Sequence, residues 1–114
     1  MGDIELVVGI LQEALGVPVT TEIQPDRPDR CVQVTLGTED SDMFIRRPTV
    51  NLTVWGRTDM DARSLAESAY YALAEAAQDH PLLSHAALES CSRDEWTRDG
   101  HARYFSEIEL TINR

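Results

Sequence analysis

The sequence predicts an α+β fold: a mainly antiparallel sheet of four to five strands with two helices packed on one face, in the order α-β-β-β-α-β-β. Three observations predict it. Segments after Asp3 and after Thr58 repeat apolar residues at helical spacing. Cys31–Leu36, Thr49–Trp55 and the stretch before Ile112 alternate instead with the period of two of a half-buried strand. Asp99-Gly100, a hairpin turn signal, separates the last two strand segments.

The elements follow in order. Asp3 is placed to cap the first helix, and Ile4, Val7, Val8, Leu11 and Leu15 form its apolar stripe. Gly16 and Pro18 stop it, with glycine at the expected position past the end. Gly9 costs up to about 1 kcal/mol against alanine in a helix interior, so this helix depends on packing. Val19–Ile23 reads as a short strand, and the two prolines of Gln24–Arg30 impose an extended loop. Cys31–Leu36 is a strand, and Gly37–Asp42 a polar loop tip. In the next strand Val50, Leu52 and Val54 share one face against Asn51, Thr53 and Trp55. Pro48 cannot donate a ladder hydrogen bond and implies an edge, a bulge or a strand start. The two strands form a hairpin with a long arm. Thr58 and Asp61 read as a capping-box-like start for the second helix. Its stripe of Ala62, Leu65, Ala66, Ala69, Leu73, Ala76 and Ala77 lets it approach a sheet closely, and Asp79-His80-Pro81 ends it. Ala86–Trp96 and Ala102–Ile112 are the final strands, the last with Tyr104, Ile108, Leu110 and Ile112 on one face and Glu107, Glu109 and Thr111 on the other.

With 114 residues the chain is expected to form a single domain, 1–114, with one core. It lacks an 18-residue apolar run and begins MGDIEL, so neither a membrane span nor a signal peptide is expected. There are 20 acids against 10 bases, giving −10 at pH 7, and every base is arginine. That balance argues against gripping nucleic acid by phosphate neutralisation. Without lysine, a P-loop or a Schiff-base site cannot be built. Cys31 and Cys91 read as small buried thiols, a disulfide between them being the lesser alternative.

The spacings of chemistry are missing. His80 and His85 stand five apart, which suits neither a helical pair nor a zinc finger, and there is no HExxH, GxSxG or GxGxxG. Glu39, Asp40 and Asp42 crowd one loop but lack the EF-hand pattern. Glu107 and Glu109 share a strand face and, with His101, are the only candidates for acid–base work. No cofactor, metal or catalytic residue is expected, and the chain is read as a non-enzyme. Contacts are better represented: Met43-Phe44-Ile45-Arg46-Arg47 has an interface composition beside the acidic tip. A strand that tucks into its own core is the alternative. Exposed sheet edges must be covered, charged or paired with another chain.

Pro25-x-Arg27-Pro28, Val32-x-Val34, Gly37 and Arg47-Pro48-x-Val50-x-Leu52-x-Val54-Trp55 before an alanine-rich helix resemble the tail terminator proteins of long-tailed phages, also called tail-completion or minor neck proteins. The resemblance spans Ile4 to Ile112 as an ordered set of short patterns. It implies a homohexameric ring that caps the tail tube, stops its growth and docks on the head–tail connector. DNA passes through the lumen without specific binding. It implies a virion protein at the tail–head junction, made in the host cytoplasm and acting by shape and surface. Its contact sites would fall on Pro25, Arg27, Pro28 and Arg30, and on the hairpin at Asp40, Asp42, Met43, Phe44, Ile45, Arg46 and Arg47. One departure is the acidic run after Gly37, where relatives are often basic or glycine-rich. The alternatives are another ring-forming head–tail joining or tail-tube protein or, from a different class, a small metal-free enzyme or ligand-binding domain.

Overall fold

The computed structural model describes residues 3–22, 28–41, 45–93 and 102–113, except the side chains at 38–41, 45, 102 and 113. Seven elements run α1 (Asp3–Leu15), β1 (Val19–Thr20), β2 (Cys31–Ser41), β3 (Ile45–Gly56), α2 (Asp59–Asp79), β4 (Leu83–Arg93) and β5 (Ala102–Asn113). One five-stranded sheet has the order β1-β2-β3-β5-β4. In the run β2, β3, β5, β4 each strand is antiparallel to the next, and the two-residue β1 joins β2 in parallel. The expected fold class and element order hold.

α1 begins at Asp3 itself, one residue earlier than a cap would allow, and an acid in the first turn suits the positive end of the helix. Leu6, Val7 and Leu11 are its buried stripe. Gly16 follows in the left-handed region at φ 66°, as a helix-ending glycine should. The chain then turns into β1, held by Val32 N–H donating to the Pro18 carbonyl at 3.0 Å and by Gln12 Nε2 donating to the Val19 carbonyl at 3.1 Å.

The β2–β3 hairpin is longer than its sequence suggests. Gly37–Ser41, expected as loop, is strand, and Asp40 stands across from Arg47. The register shifts by one residue between Leu36 and Glu39, a bulge opposite Thr49. Pro48 sits beside that bulge, and on the other side β3–β5 pairing skips from Thr49 to Arg46. Its missing donor therefore falls where the ladder is already interrupted.

Thr58 caps α2: its Oγ1 accepts from Asp61 N–H at 3.1 Å. The helix ends with His80 N–H on the Ala76 carbonyl at 2.7 Å, and His80 Nδ1 accepts from Leu82 N–H at 3.1 Å. β4 starts at Leu83, three residues before the expected Ala86, and is bulged after Leu83 and after Leu88. The Asp99-Gly100 turn lies outside the described residues.

Both helices cover one face. Leu6, Val7 and Leu11 of α1 and Leu65, Ala66, Ala69 and Leu73 of α2 pack with Val32, Val34, Val50, Leu52, Val54, Ile108, Leu110 and Ile112 in one core. The even positions of β3 and β5 are that face's contribution, as their alternation predicts. The alanines of α2 permit the close approach. At Gly56 it is so close that a Cβ would come within 2.3 Å of the Ala62 backbone nitrogen. No helix among the described residues is long and apolar enough to cross a membrane.

Candidate assembly surface

Among the described residues the sheet leaves three surfaces open: the face away from the helices and its two borders. On the helix-free face the register sets Gln33, Thr53 and Phe105 in one row and Thr35, Asn51 and Glu107 in the next, with Thr49 and Glu109 beyond. The middle rows of this face are polar, while Cys31, Trp55 and Phe105 bring apolar side chains to one end of it. Glu107 and Glu109 do share it, as expected, half-buried among hydroxyls and amides. Neither lines the grooves described below. Their proposed companion His101 lies outside the described residues. At one end of the face the Arg103 guanidinium lies over the Trp55 ring, 5.9 Å from its centroid.

Arg46 and Arg47, grouped as one contact patch by their sequence, are separated by the pleat. Arg46 projects to the helix side, where Nη2 pairs with Asp3 Oδ1 at 2.7 Å; the Asp3 side chain is only 9% exposed. The pair ties the outer part of the hairpin to the start of α1. Arg47 projects to the opposite face, half-buried and interacting. Arg30 is likewise engaged: Nε meets Asp61 Oδ2 at 3.0 Å. The same oxygen accepts Arg57 N–H at 3.0 Å. That backbone hydrogen bond, then the Arg30 charge, hold the Asp61 carboxyl below its usual range against the opposing effect of desolvation. Pro28 is exposed. Pro25, Arg27, Asp42, Met43 and Phe44 lie outside the described residues, and nothing is described of the Asp40 and Ile45 side chains.

The borders differ. β4 forms one edge along all of Leu83–Arg93. At the other, β1 pairs with Val32 and Gln33 of β2, and among the described residues no strand pairs with the outer side of Val34–Ser41. Each border carries one large exposed apolar side chain on the helix side, Leu36 (49% exposed) on β2 and Leu88 (43%) on β4. Beneath β4 runs a groove of about 520 Å³ between α2 and the sheet, walled by Tyr70, Tyr71, Leu88, Cys91 and Tyr104. The Tyr104 hydroxyl donates to the Asp59 carboxylate at 3.3 Å. Desolvation, then that carboxylate's charge, push its pKa up. Asp59 also pairs with Arg93 at 3.1 Å. Cys91 is exposed, contrary to expectation, and its Sγ accepts from Ser106 Oγ at 3.4 Å. Cys31 is buried. With β3 and β5 between their strands the two thiols cannot form a disulfide. A second groove of about 430 Å³ lies between the helices, with Ile10, Ala14, Ala72 and Ala76 on its floor and Glu13, Glu75 and Asp79 at its rim. Among the described residues no cluster of three or more His, Cys, Asp or Glu could hold a metal ion.

Sequence reasoning placed Tyr104 on the core-facing side of its strand but missed Tyr70 and Tyr71. The available signal was Tyr70-Tyr71 at the margin of the alanine stripe, where the helix meets the sheet edge rather than its centre.

No protein-family model matches the chain, and no curated protein does. Among solved structures, a chain of the virion of a native gene transfer agent particle superposes with a TM-score of 0.62, covering 97% of this chain and 92% of that one at 13% identity. The two share a fold.

Proposed function

We propose that this chain is a structural subunit of a phage-like particle, which assembles with its own copies into a ring that caps the tail tube and joins it to the head connector. The carrying observation is the fold likeness, which runs nearly end to end through a virion chain. It supports a virion component; the terminator role rests in addition on the ordered residue patterns from Pro25 to Trp55. The open borders suit ring formation, since pairing between two different edges is heterologous and closes when the rotation allows. The polar, acid-bearing face suits a lumen that DNA crosses without adhering. The role is one of shape and contact, with the copies of the chain, the tail tube protein and the connector as partners. A hexamer is the expected ring, located in the virion at the tail–head junction.

Deleting the gene in a producing cell tests this reading. Tails of uncontrolled length, unattached to filled heads, are expected in micrographs, with complementation restoring normal particles. Tails of normal length joined to heads would refute it. In a reconstruction of the intact particle one ring per tail is expected, whereas many stacked rings would mark a tube protein instead.

A further inference from the structure

We propose that the outer edge of β4 and the tyrosine-walled groove beneath it receive the uncovered part of β2, Val34–Ser41, from a second copy of this chain, with Leu36 of that copy seated beside Leu88. The inference rests on the ring-forming reading above and specifies which surfaces meet.

Strand direction is the first argument. From β2 to β4 the sheet has four strands, each antiparallel to the next, so β2 and β4 run in opposite directions. A copy brought alongside by rotation about an axis parallel to the strands presents β2 antiparallel to β4 and continues the alternation across the joint. An odd number of strands would have forced a parallel joint. Extent is the second. Among the described residues β1 pairs with β2 only as far as Gln33, which leaves Val34–Ser41 to pair with Leu83–Arg93, segments of eight and eleven residues. Unpaired backbone N–H and C=O groups along both are then satisfied by each other.

The side chains agree. Leu36 and Leu88 lie on the same side of the sheet at opposite borders, each about half exposed. With the two edges paired they come together on the helix side, over the groove formed by Tyr70, Tyr71 and Tyr104. Charge does not oppose this. With the leucines abreast in an antiparallel joint, the acidic positions Glu39 and Asp40 come alongside Leu83–His85, which holds no acid, and Glu89 comes alongside Thr35. Each strand is also irregular immediately after its exposed leucine, at Leu36/Glu39 and at Leu88/Ser90. Such bulges discourage indiscriminate edge pairing and favour a partner of matching shape.

Cysteine cross-linking of the full chain tests the joint. In a Cys91→Ser background, Leu36→Cys and Leu88→Cys are made singly and together, and assembled rings are oxidised. The double variant is expected to give a covalent ladder up to the ring on a denaturing gel. Mixing the two single variants is expected to stop at dimers, and either single variant alone to give none. Rings that form normally but yield no ladder would overturn the joint and leave the ring-forming reading standing. A chain monomeric both in solution and in particles would overturn both, and cross-linking to a different particle protein would overturn the self-pairing. A Leu88→Arg variant is the second readout: retained monomer melting temperature with at least a tenfold loss of ring formation is expected. Undiminished ring formation would remove Leu88 from the contact.

Discussion

At the scale of single residues, charge in this chain is spent on holding local structure. Asp61 accepts the Arg57 amide and pairs with Arg30, which fixes the strand–helix junction after β3 to the residues preceding β2. Its folded-state pKa lies below the unfolded value, so its contribution is complete above the ordinary carboxyl range, about pH 4, and is lost as the pH falls through the lowered folded value. Asp61→Asn is therefore expected to lower the melting temperature at pH 7 and to converge with the parent chain as the pH falls through that lowered folded value. Melts across pH check this, and a gap that widens on acidification would contradict it. Arg46 teaches a related lesson. Because Asp3 already holds it, replacing Arg46 perturbs the fold before it can report on assembly, by about 1.5–3 kcal/mol for a lost charge-assisted hydrogen bond.

At the scale of elements, the alternation of β3 and β5 and the stripe of α2 were readable because each follows from one period and one buried face. The hairpin beyond Leu36 was not. Gly37, Thr38, Glu39, Asp40 and Ser41 have the composition of a loop, and only the pairing available from Arg46 to Pro48 makes them a strand. Nor could alternation show that Arg46 would meet Asp3, since that contact depends on where α1 crosses the sheet. The candidate surface was legible as an interface composition but not as a geometry: the expected patch divides between two faces, and Tyr70 and Tyr71 of the groove went unnoticed. Gly56 tests how tightly the elements fit. Its side-chain position is filled by the first turn of α2, so Gly56→Ala must push the helix from the sheet. A destabilisation of about 1–3 kcal/mol is expected, measured by denaturant unfolding. Gly9, whose Cβ would touch nothing within 4 Å, supplies the contrast. Gly9→Ala in the same assay gains up to about 1 kcal/mol from helix propensity alone.

At the scale of the whole molecule, the two faces of the sheet divide the labour. One is committed to the core and the other stays polar, with Glu107 and Glu109 near its centre. If that face looks onto passing DNA, the acids keep it from sticking. Glu107→Arg with Glu109→Arg is then expected to leave the fold and the ring intact but to make rings retain DNA at low salt, with retention falling steeply as salt is raised. Filter binding from 50 to 200 mM salt reads this. Equal retention by both proteins would place the face away from the nucleic acid.

The path of the backbone sets an order in time. β3 takes β2 on one side at once, since the two are adjacent in the chain, but its other side waits for β5, which follows α2 and β4 in the chain. A ribosome releases β5 after all the other elements, so until then the middle of the sheet lacks a strand and β4 has no neighbour to anchor it. An unfinished chain therefore has no properly formed outer border along β4, and that edge becomes available for pairing only once β5 is in place.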